Sequence, residues 1–216
     1  MAGFIGVIDY GRGNLRSVSK ALEHVGARVK VAQRPSQLKG ALGVVLPGVG
    51  AFGDAMRALR KVRFDAWLKD QAAAGLPLLG VCLGLQAFCH DSDEFGKHRG
   101  LGLFDAVVRH FPKGLKAPHM GWNQVDFDPA CPLFEGVKAN ASFYFVHSYR
   151  AKLAGGAAAG LAGACTYGRD TFAAALWRGQ VFATQFHPEK SQQDGLQLYR
   201  NFLKLSRAHS RKKEKA

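Results

Sequence analysis

The residues with the most direct chemical use in this sequence are a cysteine and the two glycines that flank it. They lie in Leu78-Leu79-Gly80-Val81-Cys82-Leu83-Gly84-Leu85-Gln86. The apolar run before Cys82 reads as a strand, and the segment after it as a helix. Glycine on both sides lets the chain turn tightly and lets a neighbouring segment approach. This is the logic of a nucleophile elbow, with Cys in the place of Ser. The positive end of a helix dipole favours a thiolate, the reactive form of a thiol. A small buried cysteine at a strand end is the competing reading of these residues alone, since free cysteines are often buried.

A cysteine nucleophile needs a base, and Thr184-Gln-Phe-His187-Pro-Glu189-Lys-Ser191 offers one. Pro188 stops strand pairing and fixes a turn. His187 and Glu189 are two apart, so an extended chain puts both side chains on one side. A carboxylate beside an imidazole fixes its tautomer and stabilises the imidazolium. An imidazole beside Cys82 takes the thiol proton and later gives one to the leaving group. A third component is Pro47-Gly48-Val49-Gly50, a loop directly after a strand whose backbone N–H groups can hold an oxyanion. The chain has eight histidines, and any single one is more often structural than catalytic. The joint occurrence of elbow, glycine loop and His-x-Glu corner carries the reading.

The elements that must position these groups follow from pattern. Phe4–Asp9, Leu42–Leu46 and Leu78–Cys82 are continuous apolar runs, the mark of strands buried on both faces. Arg28–Ala32 is a shorter strand. Leu15–Val25, capped by Asn14 and stopped by Gly26, reads as a helix with an apolar stripe, and Phe64–Ala74 reads as another helix. Asp54 is the expected cap of a helix between them, and Leu85–Cys89 begins the helix after the elbow. Strands alternating with helices give a parallel sheet with helices on both faces, and reactive loops at the carboxyl ends of its strands. After about Leu103 the pattern changes to short alternating strands at 104–110, 122–127, 142–148, 172–177 and 180–186. The last two are joined by a two-residue turn, Arg178-Gly179. The fold class is therefore α/β, a mostly parallel central sheet flanked by helices, with an additional antiparallel sheet. The Ala/Gly stretch 153–160 reads as a surface loop, and a closing helix begins at Ser191.

Composition narrows the function classes. The 216 residues carry a formal net charge of +14. Part of that sits in a C-terminal basic stretch, 207–216, which reads as a flexible tail. The chain shows no helix-turn-helix, zinc or RNP-like signature to turn basic charge into nucleic-acid recognition. There is no apolar run of membrane-spanning length. Cys82, Cys89, Cys131 and Cys165 lack metal-ligand spacing, and four free thiols suit a cytoplasmic location. Gly11 and Gly13 are not a dinucleotide fingerprint, because Arg16 stands where the third glycine belongs.

Gly80-Val-Cys-Leu-Gly84 with His187-Pro-Glu189 resembles the class I, triad-type glutamine amidotransferases. Asp9-Tyr-Gly-Arg-Gly-Asn-Leu-Arg-Ser-Val18, Leu46-Pro-Gly-Val-Gly-Ala-Phe52, Pro118-His-Met-Gly-Trp-Asn123, Tyr144-Phe-Val-His-Ser-Tyr149 and Gln185–Ser191 are similar to the glutaminase subunits of imidazole glycerol phosphate synthase. The resemblance covers about 6–205 and implies a flavodoxin-like amidotransferase domain over 1–206. It implies that Cys82, His187 and Glu189 hydrolyse glutamine, and that N–H groups of Leu83 and of Val49 or Gly50 hold the oxyanion. Gly48, Gln86, His147, Ser148 and Tyr149 would bind glutamine. Asn14, Arg16, Trp122, Tyr144 and Lys190 would face a (β/α)8-barrel cyclase subunit that receives the ammonia as one half of a heterodimer. No cofactor and no metal is implied.

Three other readings make different demands. The same chemistry could serve another synthase, such as one acting on chorismate, against which the 118–123 and 144–149 motifs weigh. A binding module using the basic charge would leave Cys82 structural. A stand-alone cysteine hydrolase would need no partner.

Overall fold

A computed structural model describes residues 3–153 and 160–213. The first strand, β1 (Phe4–Ile8), is followed by α1 (Leu15–His24), β2 (Val29–Ala32) and β3 (Ala41–Gly48). Then come α2 (Phe52–Lys61), α3 (Phe64–Ala73), β4 (Leu78–Cys82) and α4 (Leu83–Phe88). The second half contains β5 (Asp91–Ser92), β6 (His98–Arg99), β7 (Ala106–His110), β8 (His119–Gln124) and β9 (Asp126–Phe127). It continues with β10 (Ser142–His147), β11 (Tyr149–Leu153), β12 (Leu161–Tyr167), β13 (Asp170–Arg178), β14 (Val181–Thr184) and α5 (Gln192–Lys213).

Among the described residues one large sheet runs in the order β2-β1-β3-β4-β14-β13-β11-β7-β5-β6, with β12 and β9 attached through β13. Strands β2, β1, β3, β4 and β14 are parallel. The hairpin partner β13 then reverses direction against β14, and β11 and β7 continue antiparallel. Strands β8 and β10 form a separate antiparallel ribbon. The antiparallel half thus extends the parallel sheet instead of standing wholly apart, because β14 enters it beside β4.

Alternation along β4 explains the layers. Leu79 and Val81 face one apolar cluster with Val18, Leu22, Phe182 and Phe202, from α1, α5 and the sheet. Leu78 faces the other, with Met56, Leu59, Leu68 and Phe88, from α2, α3 and α4. Each large side chain buried this way contributes roughly 1.5–3 kcal/mol. Both layers press on the strand that ends in Cys82, so the elbow is rigidly held.

Several expectations need correction. Asn14 precedes α1 but makes no side-chain capping bond; its amide is drawn instead toward Glu189. Asp54 lies inside the first turn of α2 and is engaged by Arg12 and Arg57. The first N–H of that helix, on Phe52, is satisfied from afar by Glu94 Oε2 at 2.6 Å. Pro47 and Gly48 belong to β3, paired with Val81 and Cys82, so only Val49–Ala51 remain as loop. Helix α4 starts at Leu83, directly after Cys82. The tip of the β13–β14 hairpin is Gly179-Gln180, one residue later than expected. Strands β11 and β12 were not expected at all; the stretch 154–159 between them lies outside the described residues. The basic stretch from Arg207 continues α5 as far as Lys213, where Arg207 donates to Gly26 O at 3.1 Å. Its Ala, Arg and Lys residues are good helix formers, so composition changes at 207 while the helix does not end. No described helix is long and apolar enough to cross a membrane.

Candidate active site

Cys82 closes β4 and opens α4 with φ of 55°, the left-handed region that a non-glycine residue rarely occupies. Strain of this kind persists only where the surroundings dictate it. Here they do: a Cβ on Gly84 would lie 2.0 Å from Leu46 O, and one on Gly80 would lie 2.7 Å from Gly84 O. The helix therefore starts pressed against β3 and β4, and the backbone between them has room only for the sharp turn. The Leu83 N–H, at the first position of α4, is one of the donors that a helix start leaves without an intrahelical acceptor.

His187 arrives on the segment after β14. It meets Glu189 through a 3-10 turn at Pro188–Lys190, not through the extended chain expected from the sequence. Pro188 suits the first position of such a turn. His187 Nδ1 and Glu189 Oε1 are 2.8 Å apart, and the Glu189 side chain is fully enclosed. Burial alone would lower the basicity of His187. The interactions with Cys82 and Glu189 outweigh it and raise the imidazole to about 10. The other ring nitrogen, Nε2, is buried without a regular hydrogen bond, although Cys82 is electrostatically coupled to the ring. The arrangement favours an imidazolium facing the Cys82 sulfur.

The corner is anchored to β10. His187 N–H donates to Tyr144 O at 2.9 Å. The Ser191 hydroxyl accepts from Tyr144 N–H at 3.0 Å and donates to His187 O at 2.7 Å. The backbone of Tyr144 is therefore bonded on both sides to the segment that carries His187.

A cavity of about 520 Å³ opens above Cys82. Asn14, Val49, Gly50, Leu83, Gln86, His147, Ser148, Tyr149, His187 and Lys190 line it, together with Glu94, Pro118 and Val146. Gly48 does not line it; it lies below, in β3, where a Cβ would meet Tyr10 Oη at 2.5 Å. Gln86 Nε2 is held by Tyr149 O at 3.0 Å and Gln185 Oε1 at 3.1 Å. Trp122 and Tyr144 stand opposite each other on β8 and β10, outside the cavity, with ring centroids 6.2 Å apart. Lys190 Nζ lies 5.6 Å from the Tyr144 ring centroid. Exposed Trp122 and Met120 share this face, and Arg16 is exposed on α1.

Sequence reading passed over three groups near Cys82. Gln185, wholly buried, donates its amide to Cys82 Sγ at 3.8 Å. Its signal was present, two residues before His187 on the same strand end. Tyr10 is held protonated, its phenol pushed up by burial and then by the charge of Cys82, with Arg12 partly offsetting. Glu94, in a stretch read only as a polar connection, is raised by burial, which the Phe52 N–H partly offsets.

His147 ends a chain of fixed tautomers. Tyr149 O can only accept, so His147 Nδ1 donates to it at 2.8 Å. His147 Nε2 then accepts from His119 Nδ1 at 3.1 Å, and His119 Nε2 accepts from the Asn123 amide at 3.3 Å. Burial lowers His119 to about 4 and His147 to about 3. Both are neutral in the folded chain, whereas unfolded they bind protons below about 6.5. The contribution of these two histidines to stability is therefore full above pH 6.5 and is expected to be lost as pH drops through the window to about 3. Each such proton adds a slope of about 1.4 kcal/mol per pH unit. Urea midpoints measured from pH 7 to pH 4.5 check this, and His119→Gln is expected to flatten the slope by about one proton.

Residues 6–205 match the family model for glutamine amidotransferase class-I. The chain is 48% identical over 200 residues to the imidazole glycerol phosphate synthase subunit HisH of Desulfitobacterium hafniense (strain Y51), covering 93% of each chain. It is 46% identical to the subunit HisH of Moorella thermoacetica, covering 94% of this chain and 95% of that one. Among solved structures, a chain of PurLQS from Thermotoga maritima superposes with a TM-score of 0.74 at 17% identity, covering 94% of this chain and 99% of that one. A glutamine amidotransferase crystal structure gives 0.73 at 21% identity, with the same coverage of 94% and 99%. The two structures share the fold, and the relatives of higher identity share the sequence along nearly its whole length. The chain belongs to the class-I glutamine amidotransferase family, and within it is a HisH-like enzyme subunit.

Proposed function

We propose that the chain hydrolyses glutamine to glutamate and ammonia through Cys82, His187 and Glu189, and hands the ammonia to a cyclase subunit. The observation that carries the reading is the enclosed His187–Glu189 pair, coupled to Cys82 at the floor of an open cavity. The Cys82 thiolate attacks the side-chain amide carbon of glutamine. Leu83 N–H and a backbone N–H of Val49 or Gly50 hold the oxyanion. The His187 imidazolium gives its proton to the departing nitrogen, and ammonia leaves a γ-glutamyl thioester. His187, now neutral, takes a proton from water, whose oxygen attacks the thioester. Glutamate departs and the thiolate returns. Glu189 keeps the imidazole in the required tautomer throughout. Gln86, His147, Ser148 and Tyr149 position the substrate, and Gly48 supports the loop from beneath.

The ammonia acceptor is a (β/α)8-barrel cyclase subunit that makes imidazole glycerol phosphate and AICAR in histidine biosynthesis, as the relatives' name as synthase subunits supports. Trp122, Tyr144, Lys190, Asn14 and Arg16 form its docking face, next to the cavity mouth. Four free thiols suit the cytoplasm for such a heterodimer.

Activation by the partner has a physical route. Gly50 has φ of 95°, and Val49 and Gly50 are exposed, so their peptide can turn its N–H toward or away from Cys82. A missing oxyanion donor costs about 3–4 kcal/mol, on the order of a hundredfold or more in rate. Glutamate release by the chain alone, then with the cyclase subunit and its nucleotide ligand, tests the reading. An increase of about 100-fold on complex formation is expected. Full activity without any partner would identify a free-standing amidase instead. Trp122→Ala is expected to weaken cyclase binding by roughly tenfold or more, as loss of a central aromatic anchor does, and to leave basal glutamate release unchanged.

A further inference from the structure

Glu189 is buried with two carboxylate oxygens to satisfy, and His187 uses only one of them. Oε1 accepts from His187 Nδ1 at 2.8 Å and from Asn14 Nδ2 at 3.4 Å. Oε2 accepts from the phenol of Tyr199 at 3.4 Å. Tyr199 comes from α5, an element with no other part in the chemistry, and has no exposed surface.

The approach of α5 is fixed one turn earlier. A Cβ on Gly195 would lie 2.0 Å from Pro188 O, so the helix rests directly on the turn between His187 and Glu189. Gly195 N–H donates to Ser191 O at 3.0 Å and starts the helix from that same turn. Tyr199 follows Gly195 by four residues and thus lies on the same helix face. Packing that seats Gly195 on Pro188 therefore brings the Tyr199 phenol to Glu189. Burial and the neighbouring carboxylate push the phenol far above its ordinary range, so it stays protonated and donates at every working pH.

We propose that Tyr199 is a positioning residue of the Cys82–His187–Glu189 relay, its hydroxyl donating to the second oxygen of Glu189 and holding that carboxylate aimed at His187. The proposal rests on the triad reading above. Removing the donor leaves Oε2 without this partner, so the carboxylate can turn and Oε1 loses its aim at His187 Nδ1. Ring packing alone would survive removal of the hydroxyl.

The test uses Tyr199→Phe, which keeps the ring, in the complex with the cyclase subunit. Glu189→Gln and Cys82→Ser serve as references. The expected result is a kcat lowered about 3- to 10-fold with a KM for glutamine within about twofold. The thermal midpoint is measured alongside. Should Tyr199→Phe be too unstable, Tyr199→Trp, which restores a ring N–H donor, is compared with Tyr199→Leu; recovery of kcat in the former alone supports the proposal, and equal loss in both overturns it. An unchanged kcat in folded Tyr199→Phe, with Glu189→Gln and Cys82→Ser inactive, overturns the role of Tyr199 and leaves the triad standing. Activity surviving in Cys82→Ser and Glu189→Gln overturns the triad itself.

Discussion

Cys82→Ala is expected to lower glutamate release by at least about 10⁴-fold, with the partner bound or absent. The size of the effect follows from the geometry. Cys82 is the sulfur that receives the Gln185 amide and couples to His187. In the proposed mechanism the cavity of the variant still binds glutamine, but His187 has no nucleophile to serve. The residue is held at φ of 55°, so alanine enters the same backbone strain and removes only the sulfur. Glutamine affinity is therefore expected to change by less than about threefold, since the cavity lining loses only one sulfur and the backbone N–H groups of Leu83, Val49 and Gly50 stay in place. Glutamate release together with equilibrium binding of glutamine to the variant separates loss of chemistry from loss of fold.

Gly84→Ala is expected to cost about 3 kcal/mol or more of stability and to take activity with it. A methyl group at this position would lie 2.0 Å from Leu46 O, a backbone atom of β3 that cannot rotate away. Relief requires α4 to move off the sheet, which carries Leu83 and the elbow with it. A control is available in Gly179→Ala. Gly179 has φ of 57° at the hairpin tip, and a methyl group there would meet nothing within 4 Å, so only the backbone preference is lost, about 1 kcal/mol. Urea denaturation of both variants distinguishes close approach from turn conformation. Equal costs at the two positions would contradict the packing explanation of the elbow.

The contrast between those glycines also shows how much was legible beforehand. The elbow and the His187-Pro188-Glu189 corner could be read because each is local: apolar run, glycine, nucleophile and helix follow one another within a few residues. The parallel strands could be read for the same reason, as uninterrupted apolar runs. What escaped depends on residues far apart in sequence. Asn14 has the composition of a helix cap, yet its amide is taken by Glu189, 175 residues away. Asp54 likewise reads as a cap until Glu94 arrives from another loop to satisfy the Phe52 N–H. Strand β11 is secured by a buried pair, Arg150 Nε to Asp170 Oδ2 at 2.6 Å, which appears in sequence as two isolated charges. Strand β12 has so many small residues that its pairing with β13, not its own pattern, makes it a strand. The register of His187 and Glu189 was expected from an extended chain; the proline instead set a tighter turn that brings the two together equally well.

The most direct measurement is covalent labelling with a glutamine analogue carrying an electrophilic carbon in place of the side-chain amide, followed by peptide mass spectrometry. The chain offers four free, buried cysteines, so the label must choose. Burial pushes the thiols of Cys131 and Cys165 up to about 11 and about 12, and raises that of Cys89 further. None of these three lines the cavity, whereas Cys82 does. The expected result is one label on Cys82, slowed by glutamine and accelerated by the cyclase subunit. Label on any other cysteine, or labelling of Cys82 that glutamine does not protect against, would contradict Cys82 as the nucleophile that opens the amide.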